Sequence, residues 1–138
     1  MELRDVVKGT MPVKISVEST AADALIAMME GKTDFLLVER TDINDAYGIV
    51  TQRDIVEKAV AEGNDLSEVP ITDIARKPLV VTNNLDLDIR WIAKKMADEN
   101  VSKLAVFDRD NFMGFVSDID LLMATIRDTH EQPTKEAN

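Results

Sequence analysis

Ala21, Ala24, Leu25 and Met28 are apolar at i, i+3, i+4 and i+7, the spacing of one helix face. Thr20 stands just ahead of them as an N-cap, and Asp23 three residues later completes a capping box. Past this helix, Leu36-Leu37-Val38 is a short apolar run suited to a buried strand. Asp42-Ile43-Asn44-Asp45 carries the Asp and Asn that turns favour. The pattern predicts a strand at 13–17, a helix at 20–30, strands at 35–39 and 47–51 joined by a hairpin, and a helix at 52–62.

The chain then says the same thing again. Gly48-Ile-Val-Thr-Gln-Arg-Asp-Ile-Val56 aligns with Gly114-Phe-Val-Ser-Asp-Ile-Asp-Leu-Leu122, an offset of 66 positions (48 to 114) that pairs Thr51 with Ser117 and Asp54 with Asp120. Upstream the offset is 68 (21 to 89): Ile89, Ile92, Ala93 and Met96 repeat the first helical face behind Asp88, a plausible cap. Leu104-Ala105-Val106 repeats the buried strand, and Asp73-Ile74-Ala75 repeats Asp5-Val6-Val7. A shorter second hairpin loop, Asp108-Arg109-Asp110-Asn111, absorbs the two-residue difference between the offsets. The chain is a tandem duplication of an α/β unit, with repeats at 3–63 and 69–127, a linker near Gly63-Asn64-Asp65-Leu66-Ser67 and a polar, non-periodic tail at 128–138 that is expected to be flexible. A three-stranded sheet with two helices on one face leaves its other face bare. The two copies are expected to cover each other about a pseudo-twofold axis, with clefts between them.

Composition adds exclusions. The chain has 138 residues, 45% of them hydrophobic and 4% aromatic, long enough to bury an aliphatic core without a metal or disulfide. No apolar run approaches the roughly 20 residues that cross a bilayer, and the first residues lack a secretory signal's apolar segment. With no cysteine either, the reading is a cytoplasmic protein. A net charge of −10 argues against nucleic acid and anionic membranes as partners.

The candidate chemistry lies where strands turn into helices. Thr51-x-x-Asp54 and Ser117-x-x-Asp120 each satisfy a capping box that needs no ligand. The same groups suit a nucleotide, since a helix N-terminus with a hydroxyl accommodates phosphate and a carboxylate accepts from ribose hydroxyls. Spacing alone leaves both readings open. Nothing suggests catalysis: there is no cysteine, His130 is isolated in the tail, and no Gly-x-x-x-x-Gly-Lys-Ser/Thr loop occurs. The run from Asp108 to Gly114 departs from a calcium loop in the place of its glycine and in ending on Ile119 rather than Glu. A non-enzyme without required cofactor is expected.

Gly48-Ile-Val-Thr-Gln-Arg-Asp54, with Leu36-Leu-Val38 and Met28 ahead of it, resembles the signature of the CBS-domain family, and Gly114 to Asp120 resembles it in register. The resemblance covers about residues 3–126 and implies a CBS pair, or Bateman module: a regulatory unit binding AMP, ADP, ATP or S-adenosylmethionine. It also implies composite ligand sites. One would combine Thr51, Arg53 and Asp54 with Leu79, Val101 and Lys103; the other would combine Ser117 and Asp120 with Val13, Thr33 and Phe35. The chain departs from the family's frequent Met-Thr ahead of the first strand, having Val7-Lys8 and Ala75-Arg76, and from its second-strand Pro, having Leu37 and Ala105. Because Phe35 and Ile119 stand where Lys103 and Arg53 would repeat, the Thr51/Asp54 site is expected to be the phosphate site. The rival reading is a dimerisation or protein-interaction scaffold whose clefts stay empty. Ile55, Val56, Ala59 and Val60, with Leu121, Leu122 and Ile126, provide the apolar surface for a homodimer, and the resemblance implies a regulated partner protein.

Overall fold

The structure, a computed structural model, describes residues 1–7, 9 and 11–137, with side chains up to 127. Lys8, which takes part in one of the departures noted above, lies outside the described residues. Helix α1 (Ala21–Gly31) begins as the sequence predicts. Thr20 is extended, its Oγ1 accepts from the Asp23 amide at 3.2 Å, and Asp23 Oδ2 accepts from the Thr20 amide at 2.9 Å. In α3 (Ile89–Glu99), the Asp88 carboxylate accepts from the Arg90 amide at 2.9 Å. Both helices end on a left-handed residue, Lys32 (φ 51°) and Asn100 (φ 55°), whose N–H closes back onto the last turn. Ala21, Ala24, Met28, Ile92 and Met96 are buried as the periodicity requires. Ala93, expected on the same buried face, is exposed.

Two three-stranded sheets follow the predicted order. β1 (Lys14–Ile15) runs parallel to β2 (Phe35–Val38), and β2 pairs antiparallel with β3 (Gly48–Thr51). β4 (Val81–Thr82), β5 (Lys103–Asp108) and β6 (Asn111–Ser117) repeat this topology. The two hairpins differ in how they close. In the second, pairing continues past a bulge at Val106/Phe107 to Asp108↔Asn111, and Phe107, Phe112 and Phe115 stack edge to face at 5.5 and 5.4 Å. In the first, pairing stops at Val38↔Gly48, and Asp45 organises the longer loop by accepting from Thr41 N and Oγ1 at 2.9 and 3.0 Å.

After β3, α2 (Gln52–Ile55) passes into a π-helical stretch, Val56–Val60, with Ala61 N bonded to Val56 O at 2.8 Å. The predicted helix at 52–62 is therefore not α-helical throughout. After β6, α4 (Asp118–Ala137) continues through the segment read as a non-periodic tail. Glu131, Gln132, Lys135, Glu136 and Ala137 favour helix without an apolar face whereas Pro133 and the threonines oppose it, and periodicity registers neither preference.

The chain divides into two compact units that do not coincide with the sequence repeats. The first unit is Pro12–Leu79; the second joins Met1–Met11 to Val80–Asn138. Each repeat's lead segment thus belongs to the unit that holds the other repeat's helices. In the first unit, the turn Ile71–Asp73 seats beside the start of α1, with Ile71 N donating to Ser19 O at 2.9 Å and Ala21 N to Val69 O at 2.8 Å. In the second, Leu3–Asp5 does the same at α3, with Leu3 N to Leu87 O at 2.8 Å and Ile89 N to Met1 O at 3.1 Å. Val69, Ile71 and Ile74 complete a core with Ala24, Met28, Leu36 and Val50; Leu3 and Val6 complete one with Ile92, Met96, Leu104 and Val116. Gly48 lets the connector approach, since a Cβ there would lie 3.1 Å from Arg76 O.

Ile71 is fully buried, so Ile71→Ala is expected to cost about 2–5 kcal/mol although it lies outside the first repeat. A fragment covering 12–79 should accordingly melt cooperatively in urea where one covering 3–63, without Val69, Ile71 and Ile74, should not. A cooperative melt of the shorter repeat would show that the lead turn is dispensable.

Candidate functional site

The two strand-to-helix junctions are built alike. Thr51 ends β3 in an extended conformation and caps α2: its Oγ1 accepts from the Asp54 amide at 3.1 Å. Asp54 Oδ2 returns the bond twice, accepting from Thr51 N at 2.9 Å and from the Thr51 hydroxyl at 3.0 Å. At the second junction Asp120 Oδ2 accepts from Ser117 N and from the Ser117 hydroxyl, both at 2.9 Å, while the Asp120 amide reaches Ser117 Oγ at 3.4 Å. The capping role, open on spacing alone, is present in both copies.

The capping bonds leave acceptor capacity. A carboxylate offers about four lone-pair sites, and the box engages one oxygen. The other oxygen of Asp54, Oδ1, lies 3.2 Å from Lys58 Nζ, which also donates to Ile74 O at 3.1 Å. Lys58 was not among the residues singled out from sequence. Its signal was there: a lysine four residues after an acid on a helix is a standard ion-pair spacing.

The remaining candidates sort by unit. Val13, Thr33, Phe35, Thr51, Arg53, Asp54 and Leu79 lie in the first unit; Val101, Lys103, Ser117 and Asp120 lie in the second. Each site implied by the resemblance draws on both. Within the units, Phe35 is the cross-strand partner of Thr51, and Lys103 that of Ser117. Thr33 Oγ1 donates to Phe35 O at 3.3 Å, Val13 O accepts from Leu37 N at 2.9 Å, and Leu79 N donates to Tyr47 O at 3.2 Å. Arg53, expected to meet phosphate, has its Nε 2.7 Å from Glu57 Oε1 with a side chain 77% exposed. An exposed pair of that kind is worth ~0–1 kcal/mol, so an anion could take the guanidinium at little cost.

Two open grooves occupy repeat-equivalent places. The first, about 540 Å³, is lined by Met28, Met29, Lys32, Thr33, Asp34 and Gln52. The second, about 440 Å³, lies between α3 and α4, with Met96, Asn100, Val101, Asp118 and Leu121 among its walls. Thr33 and Val101 correspond at the offset of 68, so one groove is polar where the other is apolar. No group of three or more His, Cys, Asp or Glu is placed to hold a metal ion among the described residues. None of their helices is long and apolar enough to cross a membrane.

The clearest electrostatic perturbation lies beside the first hairpin. Lys77 Nζ, 2.6 Å from Asp45 Oδ1, holds the Asp45 carboxyl well below its ordinary 3.8, with help from the Thr41 amide. A depressed folded-state pKa adds stability above the ordinary carboxylate range, and that stability is lost as pH falls toward the folded value. Lys77→Met should therefore raise the NMR-detected titration midpoint of Asp45 and make the hairpin acid-sensitive at a higher pH. An unmoved midpoint would assign the shift to the loop amides alone.

Comparison with known proteins places this geometry. The family model for the CBS domain matches residues 3–61 and 71–127. An uncharacterized protein of Methanopyrus kandleri is 31% identical over 121 residues, covering 86% of this chain, which spans 57% of that relative's length. The hexameric CBS-CP12 protein from bloom-forming cyanobacteria superposes with a TM-score of 0.78 at 32% identity, covering 88% of this chain and 69% of its own. A CBS domain protein of Pyrobaculum aerophilum, solved in complex with AMP, superposes with a TM-score of 0.68 at 21% identity, covering 87% of this chain and 89% of its own. That last likeness is one of fold.

Proposed function

Since this chain belongs to the CBS-domain family, whose pairs are regulatory modules, we propose that it is a non-catalytic sensor of adenosine-type ligands: AMP, ADP, ATP or S-adenosylmethionine. The observation that carries the reading is the duplicated box, in which the capping bonds of Asp54 and Asp120 fall on one carboxylate oxygen and do not require the other. Ribose hydroxyls are donors that such an oxygen accepts. The AMP complex of the Pyrobaculum aerophilum relative supports the ligand class.

The two boxes are unequal. Arg53 adjoins the first, in an exposed pair with Glu57, and Ile119 stands at the equivalent place beside the second. Phosphate therefore favours the Thr51–Asp54 box, and the Ser117–Asp120 box suits an uncharged or cationic adenosyl group such as that of S-adenosylmethionine. A charge-assisted hydrogen bond contributes ~1.5–3 kcal/mol, roughly a tenfold or larger difference in affinity. Calorimetric titration of AMP and ATP tests this: Asp54→Ala should lose most of the binding and Asp120→Ala should keep it. Equal losses, or the reverse order, would reassign the phosphate site.

A homodimer is supported by its own observation. Ile119, Leu122, Met123 and Ile126 on α4 are 50–60% exposed, and Val56 and Val60 beside α2 are similarly open. We propose that these helices join two copies of the chain, a reading compatible with ligand sensing. Light scattering at micromolar concentration should give twice the mass of one chain, and Leu122→Glu with Ile126→Glu should reduce it to one. A single-chain mass for the unaltered protein would remove the dimer.

A further inference from the structure

Lys58 makes a side-chain link between the capping box and the connector of the first unit. Its ammonium lies 3.2 Å from Asp54 Oδ1, the oxygen that the capping box leaves over, and it donates to Ile74 O at 3.1 Å. Ile74 is buried and opens the connector through which the chain leaves the unit. Along that connector, Arg76 N donates to Ile49 O at 2.8 Å, Ile49 N donates to Arg76 O at 2.9 Å, and Leu79 N reaches Tyr47 O. One side chain, 43% exposed, thus links the carboxylate of the box to the segment that flanks β3. At the equivalent position of the second copy stands Ala124, a buried methyl that can donate nothing.

We propose that Lys58 is a positioning residue of the first box, holding Asp54 Oδ1 in place and transmitting the state of that oxygen to the connector at Ile74. Its functional meaning rests on the reading of this box as a ligand site, whereas the link itself belongs to the unliganded chain. A ligand hydroxyl donating to Oδ1 competes with the ammonium for the same lone pairs. As the ammonium yields, the Ile74 carbonyl loses a partner held in place by the ion pair, and the connector opens more often. Occupancy at Asp54 is then felt at Arg76.

Amide hydrogen exchange on the full-length chain tests the link without any ligand. Lys58→Met keeps most of the apolar stem and removes the charge; it should speed exchange at the Arg76 amide about fivefold, the equivalent of roughly one net hydrogen bond. Asp54→Asn should speed it as well, and the double variant should add little to either single change. Lys58→Arg should restore slow exchange. Additive effects, an unchanged Arg76 amide in Lys58→Met, or an equal acceleration at the Leu36 and Val50 amides would each overturn the proposal, the last by marking Lys58 as generally stabilising. Adding AMP should speed Arg76 exchange in the unaltered chain and leave Lys58→Met unmoved; a response in both would also overturn it. If AMP fails to bind, the ligand reading falls and the ligand-free comparison still decides the role of Lys58.

Discussion

An α-helix leaves its first amides without internal partners, and here the first amide of α1, that of Ala21, is answered by Val69 O from the far end of the unit. The return bond, Ile71 N to Ser19 O, locks the same two segments together, and a buried isoleucine lies between them. The second unit repeats the arrangement with Met1 and Leu3 against Leu87 and Ile89. The rest of each unit depends on this seating. It fixes where each helix begins, which sets the face that α1 or α3 lays on its sheet. It also brings Ile74 and Val6 into the two cores, and in the first unit it carries the chain on to lie beside β3.

Much of this was legible in the residues. The apolar spacing of Met28 with Ala21 and Ala24 places α1, the run Leu36-Leu37-Val38 places a fully buried strand, and the doubled Gly48/Gly114 motif announces the duplication. The exchange of lead segments was not legible, for a definite reason. Asp5-Val6-Val7 and Asp73-Ile74-Ala75 are equivalent whether each docks on its own repeat or on the other, so the periodicity is the same in both cases. Only the backbone pairing distinguishes them. The exposure of Ala93 escaped for a simpler reason, since a methyl costs little in water and apolar spacing alone does not commit it to a core.

At the boxes, residue types reported a choice that geometry narrows. Thr51 and Asp54 suit both a cap and a ligand; their mutual bonds establish the cap on Oδ2 and leave Oδ1 to Lys58. Arg53, attractive as a phosphate partner, pairs with Glu57 at a spacing of four residues, an exposed contact that an anion displaces at little cost. Lys58 stands at the same spacing from Asp54, so its pairing is legible only when the carboxylate is read together with the helix turn that follows it. The contrast between the grooves was readable in Thr33 against Val101, once equivalent positions were compared for polarity as well as for likeness.

The division into Pro12–Leu79 and a unit made from both flanks has a mechanical side. Topologically the first unit is an insertion: the chain enters it after Met11 and leaves it at Leu79, while the segments before and after belong together. Tension applied to the two flanks would pass directly from the Leu3–Asp5 turn to the α3 region across backbone bonds such as Leu3 N to Leu87 O. The inserted unit, with the Thr51–Asp54 box, would carry no load until those bonds gave way. A box so placed is insulated from strain along the chain.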